Sequence, residues 1–220
     1  MKTTAKMTKT GSGVGGVSVA HEGIEYGQDG DQRKVWLPEV YPHHFIVRAE
    51  AAHHSECGEV TALATAVCAE GWRVSIIEPR DGVFRSSHGG LDLHAYAAFD
   101  DSVGACTILR EARLLLDSRL EQRLSGVDLS DVTPHVVLVD GLDEFFEELN
   151  TRKNSAYSAV EATQVRNDWD SIARRGGAAS VHLLATGSAK NLFSQAAFAD
   201  FDRQSLFAKI GDGPEQGAAH

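Results

Sequence analysis

The chain has 220 residues, 42% apolar and 24% charged, enough for one sizeable α/β domain with its own core. Its net charge of −10 lacks the basic footprint of a free-standing nucleic-acid binder, so contact with DNA is expected only through a local patch or an assembled ring. No apolar run approaches a membrane span, and three scattered cysteines, Cys57, Cys68 and Cys106, suit reduced thiols in a cytoplasm better than a disulfide framework.

Residues 1–16 read as a flexible leader, basic but without the apolar centre of a signal peptide. Gly11, Gly13 and Gly16 formally match G-x-G-x-x-G. That fingerprint must follow a strand and open a helix, whereas here it follows a polar tail, so the stretch is a linker. Residues 17–37 alternate short strand signals with the turn dipeptide Asp29-Gly30, which predicts a small hairpin.

Residues 43–49, HHFIVRA, are the first core strand. Residues 59–70 are helical, with Val60, Leu63, Ala64 and Val67 on one face and Gly71 as the stop. Residues 72–79, WRVSIIEP, are the second core strand. Strand, helix and strand form one right-handed βαβ unit on a parallel sheet. Residues 91–98 read as a further strand. Asp100 and Asp101 stand at the N-cap of a long helix reaching about Leu124, with apolar Ile108, Leu109, Ala112, Leu115, Leu116 and Leu120. Arg110, Arg113, Arg119 and Arg123 are assigned to its solvated face.

PHVVLVDGLDEFFEE, from Pro134, is a buried-type strand ending at Asp140, followed by a short acidic helix to about Leu149. A polar loop over 151–158 leads to a helix over 159–173, stopped by Gly176-Gly177. Residues 180–186, SVHLLAT, are another buried strand; 191–199 read as helix and 205–210 as a last strand. Residues 17–212 are thus expected to form one domain, with 213–220 a disordered tail.

The order of these parts resembles the motor domain of the FtsK/SpoIIIE family, RecA-like hexameric ATPases that pump DNA, with relatives in conjugation and type VII secretion. PHHFIVRA resembles the family's entry strand, WRVSIIEPRDG its second strand, usually ending in Asp-Pro-Lys, and the helix with Arg119 the one before the Mg²⁺ strand. VVLVDGLDEFF resembles the Walker B segment, and IARRGGAASVHLLAT the run ending in ATQRP. The resemblance implies a RecA-like P-loop-type sandwich. Its mainly parallel sheet is flanked by helices and preceded by a hairpin.

The phosphate loop of such a fold is G-x-x-x-x-G-K-[ST], whose glycines let N–H groups close on phosphate while Lys adds positive charge. In its place stands EAAHHSEC. Glu50 replaces the first Gly, His53 a further Gly, Ser55 the later Gly, Glu56 the Lys and Cys57 the Mg²⁺-binding Ser/Thr. Two unit charges ~4 Å apart near a surface interact by about 4 kcal/mol. Exchanging attraction for repulsion therefore lowers affinity on the order of a thousand-fold or more. No Gly-Lys pair occurs anywhere in the chain to supply a shifted loop. His53, His54, Glu56 and Cys57 are metal-ligand types, but no second ligand set accompanies them.

By the resemblance, Asp140 is the Mg²⁺-holding aspartate, Glu144 the acid that polarises water and Arg175 the arginine that acts in a neighbouring subunit. Residue by residue the match is partial. Gly141, not Glu, follows Asp140; Asp143 and Glu144 suit a helix N-terminus; Arg174 and Arg175 suit a helix C-terminus. ATQRP becomes Ala185-Thr186-Gly187-Ser188-Ala189, without the Gln that senses phosphate. The expected function is a structural or regulatory module of a DNA- or protein-translocation system, without bound cofactor, acting through a protein partner or its own oligomer. The alternative is a divergent ATP-driven DNA translocase using ATP and Mg²⁺.

Overall fold

The computed structural model describes residues 23–47, 58–80, 82, 84, 91–150, 157–188 and 205–209. Two antiparallel strands, β1 (Ile24–Asp29) and β2 (Gln32–Trp36), form the expected hairpin, turning at Gly30 with φ +58°. The main sheet follows in β3 (His43–Val47), β4 (Arg73–Glu78), β5 (Ala95–Ala98), β6 (His135–Asp140), β7 (Val181–Gly187) and β8 (Ser205–Lys209). Its order is β5-β4-β6-β7-β3-β8 and every pairing is parallel. The helices are α1 (Gly58–Ala69), α2 (Ser102–Leu124), α3 (Leu142–Asn150) and α4 (Ala159–Arg175). This is the RecA-like α/β architecture the resemblance implied.

Burial explains the strand sequences. All six residues of β6 and all seven of β7 are buried, which a continuous apolar run requires when both faces of a parallel sheet are covered. One face packs Ile46, Val74, Ile76, Val136, Leu138 and Leu184 against α1 and the hairpin. The other packs Phe45, Ile77, Val137, Val139, Leu183 and Ala185 against α2, α3 and α4.

Helix ends follow local chemistry. Asp101 caps α2 by accepting from Gly104 N at 2.9 Å. Ser158 and Glu161 form a reciprocal capping box on α4. Gly71, at φ +77°, ends α1: its N–H bonds Cys68 O, and Trp72 N–H bonds Val67 O.

One expectation holds and one needs correction. The helix stop at Gly176-Gly177 holds, since α4 ends at Arg175 with Gly176 as its cap; beyond it the chain makes a 3-10 turn, Gly176–Ala179, and Ser180 takes the positive φ of 53°. The glycines are there for space. A Cβ at Gly176 would sit 2.1 Å from Val181 O, and one at Gly177 2.6 Å from Pro42 Cβ. Arg119 is not on a solvated face. It is 7% exposed and donates to Ala179 O at 3.0 Å, Ser180 O at 3.0 Å and Thr133 O at 2.6 Å. The helix expected over 191–199 lies outside the described residues, as do the leader and the tail.

Candidate functional site

In open parallel sheets, ligands bind beyond the carboxyl ends of the strands, where the order reverses. Here β3 lies between β7 and β8, so chain leaving β3 toward α1 departs at that reversal. Asp140 ends β6, Gly187 ends the adjacent β7, and Val47 ends β3 next to it.

Asp140 is completely buried. Its Oδ1 accepts from Thr186 Oγ1 at 2.7 Å, and Thr186 Oγ1 accepts from Gly141 N at 2.8 Å. One hydroxyl therefore ties the ends of β6 and β7 together. Gly141, at φ +92°, makes the turn into α3, whose N-terminal dipole further favours a carboxylate at Asp140. Thr186 was noted in the sequence only as part of a lost ATQRP motif; its position as last-but-one residue of a buried strand beside a buried acid was the available signal.

Asp143 and Glu144 fall in the first turn of α3, Asp143 half-buried and Glu144 exposed. Asp143 Oδ1 is enclosed without a hydrogen-bond partner among the described residues. It lies over the end of β7, so that a Cβ at Gly187 would come within 2.7 Å of it. Where ATQRP has Gln, this chain has a glycine with an acid over it.

Arg175 lies elsewhere. It ends α4, just before β7 begins, at the amino edge of the sheet, and its Nη2 is 3.4 Å from Asp117 Oδ1. The chain does not bring Arg175 to Asp140; an arginine acting on a neighbouring subunit is under no such requirement. Glu50, His53, His54, Ser55, Glu56 and Cys57 lie outside the described residues.

The Asp-Pro-Lys position of the second strand is Glu78-Pro79-Arg80. Glu78 is fully buried and its Oε2 accepts from Phe84 N at 2.9 Å; a Cβ at Gly82 would collide with the same oxygen at 2.1 Å. The turn after β4 is wrapped around this carboxylate, and Arg80 pairs with Asp100 outside it. Among the described residues no group of three or more His, Cys, Asp or Glu is arranged to hold a metal. Cys68 and Cys106 are free thiols, and burial pushes both above the usual thiol range, away from nucleophilic reactivity.

Sequence reasoning also missed the histidines at the strand starts. His43, His44, His135 and His182 are all buried. Leu183 N donates to His43 Nδ1 at 3.0 Å, so His43 Nε2 carries the proton it donates to Ala173 O at 3.0 Å. His182 Nδ1 donates to Pro42 O at 2.7 Å. Burial pushes His43 down to about 3 and His135 and His182 down to about 4. The rings are neutral structural groups. A histidine opening three of the apolar strand runs was the signal in the sequence.

No family model matches the chain, and no curated protein matches it. Solved structures do. The pCW3 conjugation coupling protein TcpA, in its monomer form with ATPγS, aligns over 89% of this chain and 56% of its own, with a TM-score of 0.64 at 13% identity. The cytoplasmic domain of EssC aligns over 87% of this chain and 37% of its own, with a TM-score of 0.58 at 11% identity. ATPases 2 and 3 of Thermomonospora curvata EccC, in complex with a signal sequence peptide, align over 90% and 36%, with a TM-score of 0.55 at 14% identity. The chain spans about half, or less, of these structures. Its fold is that of FtsK/SpoIIIE-type motor domains. Among the described residues no helix is long and apolar enough to cross a membrane.

Proposed function

We propose that this chain is a motor-type domain without nucleotide turnover, acting as a structural or regulatory module of a DNA- or protein-translocation machine. Its sites of contact are a protein partner or further copies of itself, in the cytoplasm, with DNA reached only through an assembly. The observation that carries this reading is the segment leaving β3 at the reversal of strand order. In this fold that segment would hold phosphate, and here it reads EAAHHSEC, with Glu56 in place of the lysine. Gly187 under Asp143 supports it, because a Gln side chain there has no room unless Asp143 moves.

A second reading, a divergent ATP-driven translocase, is favoured by one specific observation: Asp140 stands at the strand end where a Mg²⁺-holding aspartate belongs, beside the N-terminus of α3. Bound Mg²⁺ would there neutralise phosphate charge. Phosphate release in the presence of duplex DNA separates the two. The first reading predicts no release above that of Asp140→Ala at any protein concentration. Release by the native chain that Asp140→Ala abolishes overturns it.

A further inference from the structure

β5 is the outermost strand at one side of the main sheet. It pairs with β4, and among the described residues no strand pairs with its other side. His94 N donates to Val74 O at 2.7 Å, so His94, Tyr96 and Ala98 turn their amides toward β4, and the alternation of a strand turns those of Ala95 and Ala97 outward. A row of outward amides and carbonyls is a template for another strand, and proteins blunt it with bulges, prolines and charged side chains. The other strands at sheet edges carry such guards. β1 has a register shift between Glu25 and Gly27, β2 carries Arg33 and Lys34, and β8 ends in Lys209. β5 reads Ala-Tyr-Ala-Ala and has none.

The charges at its two ends select a partner. Asp92 and His94 precede it, with Arg73 at the start of β4 beside them. Asp100 and Asp101 follow it, Asp100 paired with Arg80 and Asp101 capping α2. Like charges placed opposite each other across a ladder destabilise it. A second copy of β5 laid antiparallel has three close registers. With Tyr96 opposite Tyr96, Asp92 meets Asp100; with Tyr96 opposite Ala97, Asp92 meets Asp101. With Ala97 opposite Ala97, His94 meets Asp100 and no two acids meet. This last register also sets the outward amide and carbonyl of one Ala97 against those of the other, which is the hydrogen-bonded pair of an antiparallel ladder. A cleft of about 340 Å³ at the carboxyl end of β5, lined by Arg80, Tyr96, Ala98, Asp100 and Asp101, leaves room for the incoming His94.

We propose that two copies of this chain associate through β5, antiparallel about a two-fold axis at Ala97, joining their six-stranded sheets edge to edge. The inference rests on the reading that the chain acts through further copies of itself, and names the surface. The test is sedimentation velocity of the full chain from micromolar to millimolar concentration at pH 7.5, where a reversible equilibrium between one and two copies is expected. Ala95→Pro weakens the association at least ten-fold. Proline is tolerated in an edge strand whose amide faces outward, so the fold is kept while the pairing is obstructed, which circular dichroism checks. His94→Asp, which sets an acid opposite Asp100 of the second copy, weakens the association at least five-fold, and His94→Lys tightens it. His94 is exposed and meets His135 edge-on at 5.4 Å, so both substitutions lose the same ring contact and their difference reports charge. The His94 pair decides the question if Ala95→Pro does not fold.

Four results overturn the proposal. They are a chain monomeric throughout, association undiminished in a folded Ala95→Pro, equal association of His94→Asp and His94→Lys, or assemblies larger than two copies, which a closed two-fold contact does not build. The two readings fail separately. Association that survives Ala95→Pro removes β5 and keeps further copies as partners, whereas a monomer removes the copies as well and leaves an external protein partner.

Discussion

Thr186 Oγ1 serves two partners at once, accepting from Gly141 N and donating to Asp140 Oδ1, in a place without solvent exposure. Thr186→Val keeps the shape and removes the hydroxyl, leaving the Gly141 amide without its acceptor. An unmet buried donor costs roughly 1–3 kcal/mol, and a hydrogen bond to a charged group contributes about 1.5–3 kcal/mol. Thr186→Val is therefore expected to lower stability by about 3 kcal/mol and Thr186→Ser by well under half of that, measured as shifts of the urea midpoint. Equal shifts for the two would show that the hydroxyl does not tie these strand ends. None of this is visible in Ala185-Thr186-Gly187 as letters: the lost ATQRP motif was legible, the clamp made by its remaining threonine was not. Gly187 is similar. Its reason is the approach of Asp143 from another element, which no local pattern records.

At the scale of elements, α2 shows what periodicity can and cannot deliver. Its long amphipathic run and its Asp101 cap were readable, because caps and stripes are local. Arg119 was assigned to solvent by residue type, although it follows Ala112 and Leu116 at helical spacing and so lies on the buried stripe. It is kept there by three carbonyls from the segments before β6 and β7. Arg119→Met is expected to lose roughly 2–4 kcal/mol, since charged-group hydrogen bonds disappear and the carbonyls are left without donors. Arg113→Met, which gives up an i,i+4 pair with Asp117 and an attraction to Asp168 offset by repulsion from Arg175 and Arg110, should lose less than about 1 kcal/mol. Denaturant titration of the two variants gives the contrast; equal losses would place Arg119 back on the surface. The glycines after α4 were legible as a stop, and α4 does end there; what was not legible is that both also answer to Val181 and Pro42, which come close only in the folded chain.

For the whole molecule, the helices run antiparallel to the strands they connect. Helix N-termini therefore gather at the carboxyl edge with Asp140 and the segment after β3, and helix C-termini at the amino edge with the histidines. The core strands were legible because buried parallel strands are written as unbroken apolar runs, while their spatial order in the sheet was not. The histidine cluster was not, because a polar letter at the start of a run reads as a boundary.

The cluster sets the acid response. Unfolded histidine titrates near 6.5, while His43 is held down to about 3 and His135 and His182 to about 4. Below pH ~6.5 the unfolded chain binds protons that the folded one does not. Stability is therefore full above that pH and falls as pH drops toward 4, by up to about 1.4 kcal/mol per unit for each ring. Urea midpoints at pH 7.5 and 5.5 should differ by the equivalent of roughly 4 kcal/mol for the three together. Carboxylates titrate mostly below this window. Identical midpoints would mean that these rings are not buried neutral.

The same edge-to-edge polarity frames the central claim, that a motor-type sheet carries an acid where its lysine belongs and so has given up the triphosphate. Isothermal titration of the full chain with Mg-ATP addresses it most directly. No saturable heat is expected up to about 1 mM nucleotide, corresponding to binding weaker than about 4 kcal/mol. A micromolar dissociation constant, lost on Asp140→Ala, would contradict it and make the chain a working motor domain.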